Sequence, residues 1–194
     1  MALILASQSP RRKELLTQLG YRFVCSPADI DESVHANESP AQYVTRLAIE
    51  KATHIAKTVA PSDLVLGSDT SVVKNNHILG KPMDLSESIE MLSSLSGRTH
   101  QVLTAIAVAK GEAIESLLVE TEVTFKVLTK TEMINYWQTN EPQDKAGSYG
   151  IQGIGGQFIT QIKGSYSAVV GLPLYETAQL LTKMGLESPL SQST

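Results

Sequence analysis

Two hydrophobic periods alternate along the chain. Aliphatic runs of strand length, ALILAS at 2–7, DLVLGSD at 63–69, QVLTAIAVAK at 101–110 and AVVGLP at 168–173, predict buried strands. Between them, apolar residues at helical spacing with Ser, Pro and Gly punctuation predict helices over Pro10–Leu19, Pro40–Val59, Ser86–Leu95, Lys130–Thr139 and Leu174–Met184. The segment SLLVETEVTFKVL at 116–128 alternates residue by residue, as an antiparallel strand with one solvated face does. The pattern is that of an α/β protein with a mixed sheet.

No linker divides the chain, and its longest irregular stretch is the Pro/Gly-rich EPQDKAGSYGIQGIGG at 141–156. Long loops in compact domains tend to be functional. The expectation is therefore one α/β domain over residues 1–186, in two lobes around a cleft. The tail 187–194, ESPLSQST, has little to bury and is expected to fray.

Composition narrows the partners. The 194 residues are 42% hydrophobic and 19% charged, as in an ordinary globular protein, and the net charge of −4 leaves no broad basic face for nucleic acid. A small anionic ligand needs only a few local cations. The single cysteine, Cys25, cannot form an intramolecular disulfide. The start, MALILASQSPRRKELL, has its charges after a short apolar run, the reverse of a secretory leader, and no run approaches the roughly 18 apolar residues of a membrane span. These features predict a soluble cytoplasmic protein.

Three places break local rules. Ser9 and Pro10 open the first helix well, yet Arg11, Arg12 and Lys13 fill its first turn, where the helix dipole disfavours cations. Either an anion binds there, with Ser7 and Ser9 hydroxyls helping, or the turn is a solvated basic one. Lys51 falls on the apolar stripe of Val44, Leu47, Ala48 and Ile55. It either snorkels to the surface or meets a negative partner in a cavity. In LVLGSDTSVVKNNHILGKP (64–82), a two-residue Asn75–Asn76 turn sets Lys74 opposite His77 and Val73 opposite Ile78. Extending that register puts Thr70 opposite Lys81 and Asp69 opposite Pro82. Asp69 and Lys81 would then be neighbours at the lip of a phosphate-binding cleft, or else a weak surface ion pair. Asp69 directly follows a buried run, and α/β proteins bind ligands beyond such strand ends. His35, His54, His77 and His100 have no metal-ligand spacing, and Tyr136 and Trp137 read as core. The glycines of YGIQGIGG lack a dinucleotide fingerprint and read as tight turns and close backbone approach.

Taken in order, ASQSPRR, DIDES, LAIEKA, GSDT with GKP, and DKAGSYGIQG followed by GSYSAVVGLP resemble the Maf family of nucleoside triphosphate pyrophosphatases over nearly the whole chain. The resemblance implies hydrolysis between the α and β phosphates, giving the monophosphate and pyrophosphate, with a divalent metal, Mg²⁺ foremost and Mn²⁺ as the alternative. It also implies a mixed sheet around a deep cleft, similar to that of inosine triphosphate pyrophosphatases, and a homodimer. In that scheme Asp69 accepts a proton from water and, with Glu32, holds the metal, while Ser7, Arg12, Lys51 and Lys81 hold phosphate oxygens. DKAGSYGIQG resembles the branch acting on dTTP and UTP, in which Arg12, Thr70 and Gln152 are linked to substrate choice. The Gln152 amide, both donor and acceptor, matches the edge of uracil and thymine. One departure is Gln8, where the family commonly has glycine. The competing class is a nucleotide-binding regulator of cell division. Asp69 separates the two, because an acid beside the anhydride repels the ligand of a pure sensor unless a metal bridges them. A house-cleaning role on modified pyrimidine triphosphates would differ only in the physiological substrate.

Overall fold

The computed structural model describes residues 1–191. In chain order its elements are β1 (Leu3–Leu5), α1 (Pro10–Gln18), β2 (Val24–Cys25), α2 (Pro40–Ala56), β3 (Leu64–Lys74), β4 (His77–Leu79), α3 (Leu85–Leu95), β5 (Thr99–Lys110), β6 (Ala113–Phe125), α4 (Lys130–Trp137), β7 (Ile159–Lys163), α5 (Tyr166–Val170) and α6 (Leu174–Lys183). The five helices expected from periodicity are all present, most of them ending one to three residues early. The sheet has the order β2-β1-β3-β5-β6-β7, with β4 on the free edge of β3. β1 pairs in parallel with β2 and β3, and the remaining pairs are antiparallel, so the sheet is mixed as the pattern predicted.

The lobes follow from where the apolar side chains go. Along β3, Leu64 and Leu66 face one side with Leu15, Leu16, Leu180 and Leu181 of α1 and α6, while Val65 faces the other with Val44, Ala48 and Ala52 of α2. This is the period-two alternation of a strand covered on both faces. A third cluster, centred on Leu92, Leu95, Phe125, Met133 and Phe158, gathers α3 and α4 over the other end of the sheet. The cleft lies between these two ends.

Its floor is a gap in one edge of β3. β1 pairs only with Leu64–Leu66 and β4 only with Val72–Lys74, so Gly67–Ser71 has no strand on that side, while β5 runs unbroken along the opposite edge. α2 crosses β3 closely here. A β-carbon on Gly67 would overlap the Ala48 carbonyl oxygen and stand 2.8 Å from Ala52 N. Gly67→Ala is therefore expected to push α2 outward and destabilise the fold by about 1–3 kcal/mol, as overpacking does. Denaturant unfolding measures this, and an unchanged midpoint would show that the two backbones have room to spare.

AVVGLP, expected as a strand, is instead the short helix α5 and the turn after it. Ser165 caps the helix by accepting from Ala168 N at 3.2 Å, and Gly171 ends it at φ 133. A short apolar run cannot be told from a buried helical turn by periodicity, and the capping serine was the better guide. Of the tail expected to fray, Pro189–Ser191 forms a 3-10 turn with Pro189 over Gly20, and 192–194 lie outside the described residues.

Candidate active site

A cavity of about 1080 Å³ opens over the gap in β3, and it is lined by all eight residues singled out above: Ser7, Arg12, Glu32, Lys51, Asp69, Thr70, Lys81 and Gln152. They come from the turn before α1, α1, the loop before α2, α2, β3, the segment after β4 and the loop before β7.

Arg12 is not part of a freely solvated turn. Its backbone N–H donates to the N-cap Ser9 Oγ at 3.4 Å, and its guanidinium is aimed into the cleft by three acceptors. Nε donates to the Gly171 carbonyl at 2.9 Å, Nη1 to Ser7 Oγ at 3.4 Å and Nη2 to Thr70 Oγ1 at 3.4 Å. Thr70 is itself held, sharing a 3.0 Å hydrogen bond with Thr104 of β5.

Lys51 does not snorkel. Its Nζ is buried between two carboxylates, 2.8 Å from Asp69 Oδ1 and 2.7 Å from Glu32 Oε1. Burial pushes the Asp69 carboxyl above its ordinary range, while Lys51 and Arg12 pull it back. Asp69 Oδ2 has no hydrogen-bond partner among the described residues. Glu32 is tied to α2 through its backbone, whose carbonyl accepts from Tyr43 Oη at 2.8 Å.

The hairpin confirms one expectation and corrects another. Asn75 and Asn76 sit at φ 49 and 63, Lys74 pairs with His77 and Val73 with Ile78. The register continues only to Val72 and Leu79, so the Thr70–Lys81 and Asp69–Pro82 pairs do not form. Gly80 leaves the strand because its carbonyl accepts from Gly147 N at 2.9 Å, and Pro82 has no N–H for a ladder. Asp69 thus pairs through its side chain with Lys51, while Lys81 stands exposed on the lip without an ion-pair partner among the described residues. Nor does the strand end before Asp69. β3 runs on to Lys74, and it is the neighbouring β1 that stops.

A profile of Maf-like proteins matches residues 2–184. The chain belongs to the Maf family. Its relatives include the dTTP/UTP pyrophosphatase of Colwellia psychrerythraea, 59% identical over 187 residues that cover 94% of this chain and 88% of the relative. The dTTP/UTP pyrophosphatase of Vibrio cholerae is 55% identical over 181 residues, covering 93% and 97%. A solved HAM1 protein from Coxiella burnetii shares the fold at a TM-score of 0.52 and 20% identity, covering 94% of this chain and all of that one.

In this Maf chain the dispersed motifs converge because β3 carries GSDT past the end of β1, and the loop 144–153 closes over the same gap. Gln152 is exposed on that loop and faces the cleft, its amide free of hydrogen bonds among the described residues. Behind it, Tyr149 is anchored by a 2.8 Å hydrogen bond to His100 Nε2, and burial pulls that imidazole down to about 4, so it is neutral. Sequence reasoning missed Glu141, whose carboxylate accepts hydrogen bonds from Ile154 N at 2.7 Å and Gly155 N at 2.9 Å. Its only signal was the cluster of glycines downstream.

Among the described residues no group of three or more His, Cys, Asp or Glu side chains is arranged to hold a metal. Glu32 and Asp69 nevertheless converge on one cationic position, that of Lys51 Nζ. Two carboxylates suffice for Mg²⁺, which retains waters and takes further oxygens from phosphates.

Proposed function

We propose that this chain hydrolyses dTTP and UTP to the monophosphate and pyrophosphate, as the names of its relatives indicate for them. The observation that carries the reading is an acid, Asp69, held by a buried lysine at the floor of a cleft whose wall and lip carry Arg12 and Lys81.

The triphosphate lies with its phosphates toward the first turn of α1, Arg12 and Lys81. The free oxygen of Asp69 takes a proton from water as the water oxygen bonds to the α-phosphorus. The anhydride bond breaks and pyrophosphate leaves with the electron pair. Arg12, Lys51 and Lys81 stabilise the charge that develops on the phosphate oxygens, the main task of a protein in phosphoryl transfer. A raised carboxyl makes Asp69 a stronger base once ionised. Glu32 and Asp69 would hold Mg²⁺, or Mn²⁺, which when bound supplies further charge neutralisation and a more acidic water.

Purified protein with Mg²⁺ and a panel of nucleotides tests this directly. Pyrophosphate without orthophosphate from dTTP and UTP is the expected result, and stepwise orthophosphate release would overturn it.

The base is read by Gln152. Gln152→Ala is expected to lower the efficiency for UTP and dTTP by about 1–3 kcal/mol and to narrow discrimination against CTP. Cytosine presents an amino group where uracil presents O4, so the wild-type amide opposes it. The ratio of catalytic efficiencies for UTP and CTP decides the point, since a residue that only ordered the loop would leave the ratio unchanged.

The reading includes a cytoplasmic homodimer that binds no nucleic acid. The acidic net charge supports the absence of nucleic-acid binding, Cys25, a free exposed thiol that a reducing compartment preserves, supports the location, and the homodimer rests on the family resemblance alone. Among the described residues no helix is long and apolar enough to cross a membrane. Sedimentation of the purified protein measures the subunit number.

A further inference from the structure

The loop that presents Gln152 is pinned from beneath by a single carboxylate. Glu141 opens the 3-10 turn Glu141–Asp144 just after α4. Its Oε2 accepts from Ile154 N at 2.7 Å, and its Oε1 accepts from Gly155 N at 2.9 Å and from the Tyr136 hydroxyl at 2.7 Å. Tyr136, buried on α4, extends the clamp, because its hydroxyl also accepts from Gly150 N at 3.0 Å. The span 150–155 is thus fixed at both ends, with Gln152 between them. Ile151 packs partly against the core cluster on the Leu16 and Leu181 face of the sheet, while Gln152, exposed, lines the cleft beside it.

The glycines of YGIQGIGG acquire a reason. A β-carbon on Gly153 would collide with the Glu141 carboxylate, and one on Gly155 with the Tyr136 hydroxyl. Neither glycine has a positive φ, so both positions call for a missing side chain rather than for left-handed backbone. Glycine here lets a carboxylate and a phenol reach through to backbone N–H groups. Three donors converge on Glu141, a number that suits an ionised carboxylate with its two acceptor oxygens. Burial raises the Glu141 carboxyl, but the hydrogen bonds from Gly155, Tyr136 and Ile154 outweigh it and hold the group ionised.

We infer that Glu141, acting with Tyr136, is the positioning residue for base selection: it touches no substrate, and it sets where the Gln152 amide stands. This rests on the reading that Gln152 meets the base. A rigid loop fixes the Gln152 backbone and so the reach of its amide toward the uracil edge, whereas a loose one lets Gln152 retreat and accept cytosine. Discrimination then falls without any change in the phosphate site.

The test uses Glu141→Gln, which keeps the shape but turns an NH₂ toward backbone donors. Its UTP-to-CTP ratio of catalytic efficiencies is expected to fall about tenfold, with the change in KM rather than kcat. In the Gln152→Ala background the same substitution is expected to leave the ratio where Gln152→Ala alone put it, because Glu141 acts only through Gln152. Tyr136→Phe, which frees Gly150 but spares the two bonds at Ile154 and Gly155, is expected to produce a smaller fall. It decides the matter if Glu141→Gln does not fold, as judged by circular dichroism. An unchanged ratio in a folded Glu141 or Tyr136 variant, an equal loss for all nucleotides, or a ratio that changes further without Gln152 would each overturn the inference. If Gln152→Ala itself left the ratio unchanged, base reading by Gln152 would fall and this inference with it. If only the Glu141 and Tyr136 variants were silent, base reading by Gln152 would stand alone.

Discussion

Asp69→Asn is expected to lower hydrolysis of dTTP and UTP by about 10²–10⁴-fold, the usual contribution of a general base, and by more where a metal position is lost as well. Asparagine keeps the shape and still offers Lys51 an oxygen, but it cannot take a proton from water. The cations that hold the phosphates are untouched, so affinity for the triphosphate should remain close to that of the wild type. Turnover and equilibrium nucleotide binding are to be measured side by side. Near-normal turnover would remove Asp69 from the chemistry, and loss of binding along with turnover would leave it a metal-holding role only.

Arg12→Ala and Lys81→Ala are each expected to reduce catalytic efficiency by about 1.5–3 kcal/mol, the range for hydrogen bonds to charged groups. For Lys81 the loss should be the same for every nucleotide, since a phosphate contact carries no information about the base. Arg12 should lie at the upper end. Its guanidinium is oriented by Gly171, Ser7 and Thr70, whereas Lys81 is exposed and must be ordered on binding. Arg12→Lys should recover little, because one ammonium cannot reproduce a fork held by three acceptors. Parallel kinetics with UTP, dTTP and CTP check both residues. Unchanged rates in Lys81→Ala would return that lysine to the solvated surface.

Much of the architecture was legible because the deciding interactions are short in sequence. Ser9, Ser39 and Thr129 cap their helices from the adjoining residue, and Asn75–Asn76 closes its hairpin by its own tolerance of positive φ. Errors arose where a distant group intervened. Gly147 takes the Gly80 carbonyl and stops the β4 register, a bond across 67 residues that no local pattern announces. The residues alone pointed to an anion-binding cleft with an acid in it. That Lys51 would meet both Asp69 and Glu32 could not be read from spacing, since Gly67 has to bring α2 against β3 first. Roles for Glu32 and Gln152 came from the family resemblance, both being exposed loop residues without a local signature. Glu141 escaped notice because a surface-seeming acid after a helix is commonplace until the backbone that folds onto it is seen.

The hydrogen bond from Arg12 Nε to the Gly171 carbonyl joins residues 159 apart. Its consequence concerns time rather than space. On a growing polypeptide, α1 and Asp69 exist long before Gly171 has been synthesised, and contacts of such separation are the slow ones to form. Ser7 and Thr70 can meet the guanidinium early, but its third and shortest bond waits for the turn after α5, so the full grip on a triphosphate is completed only late in folding.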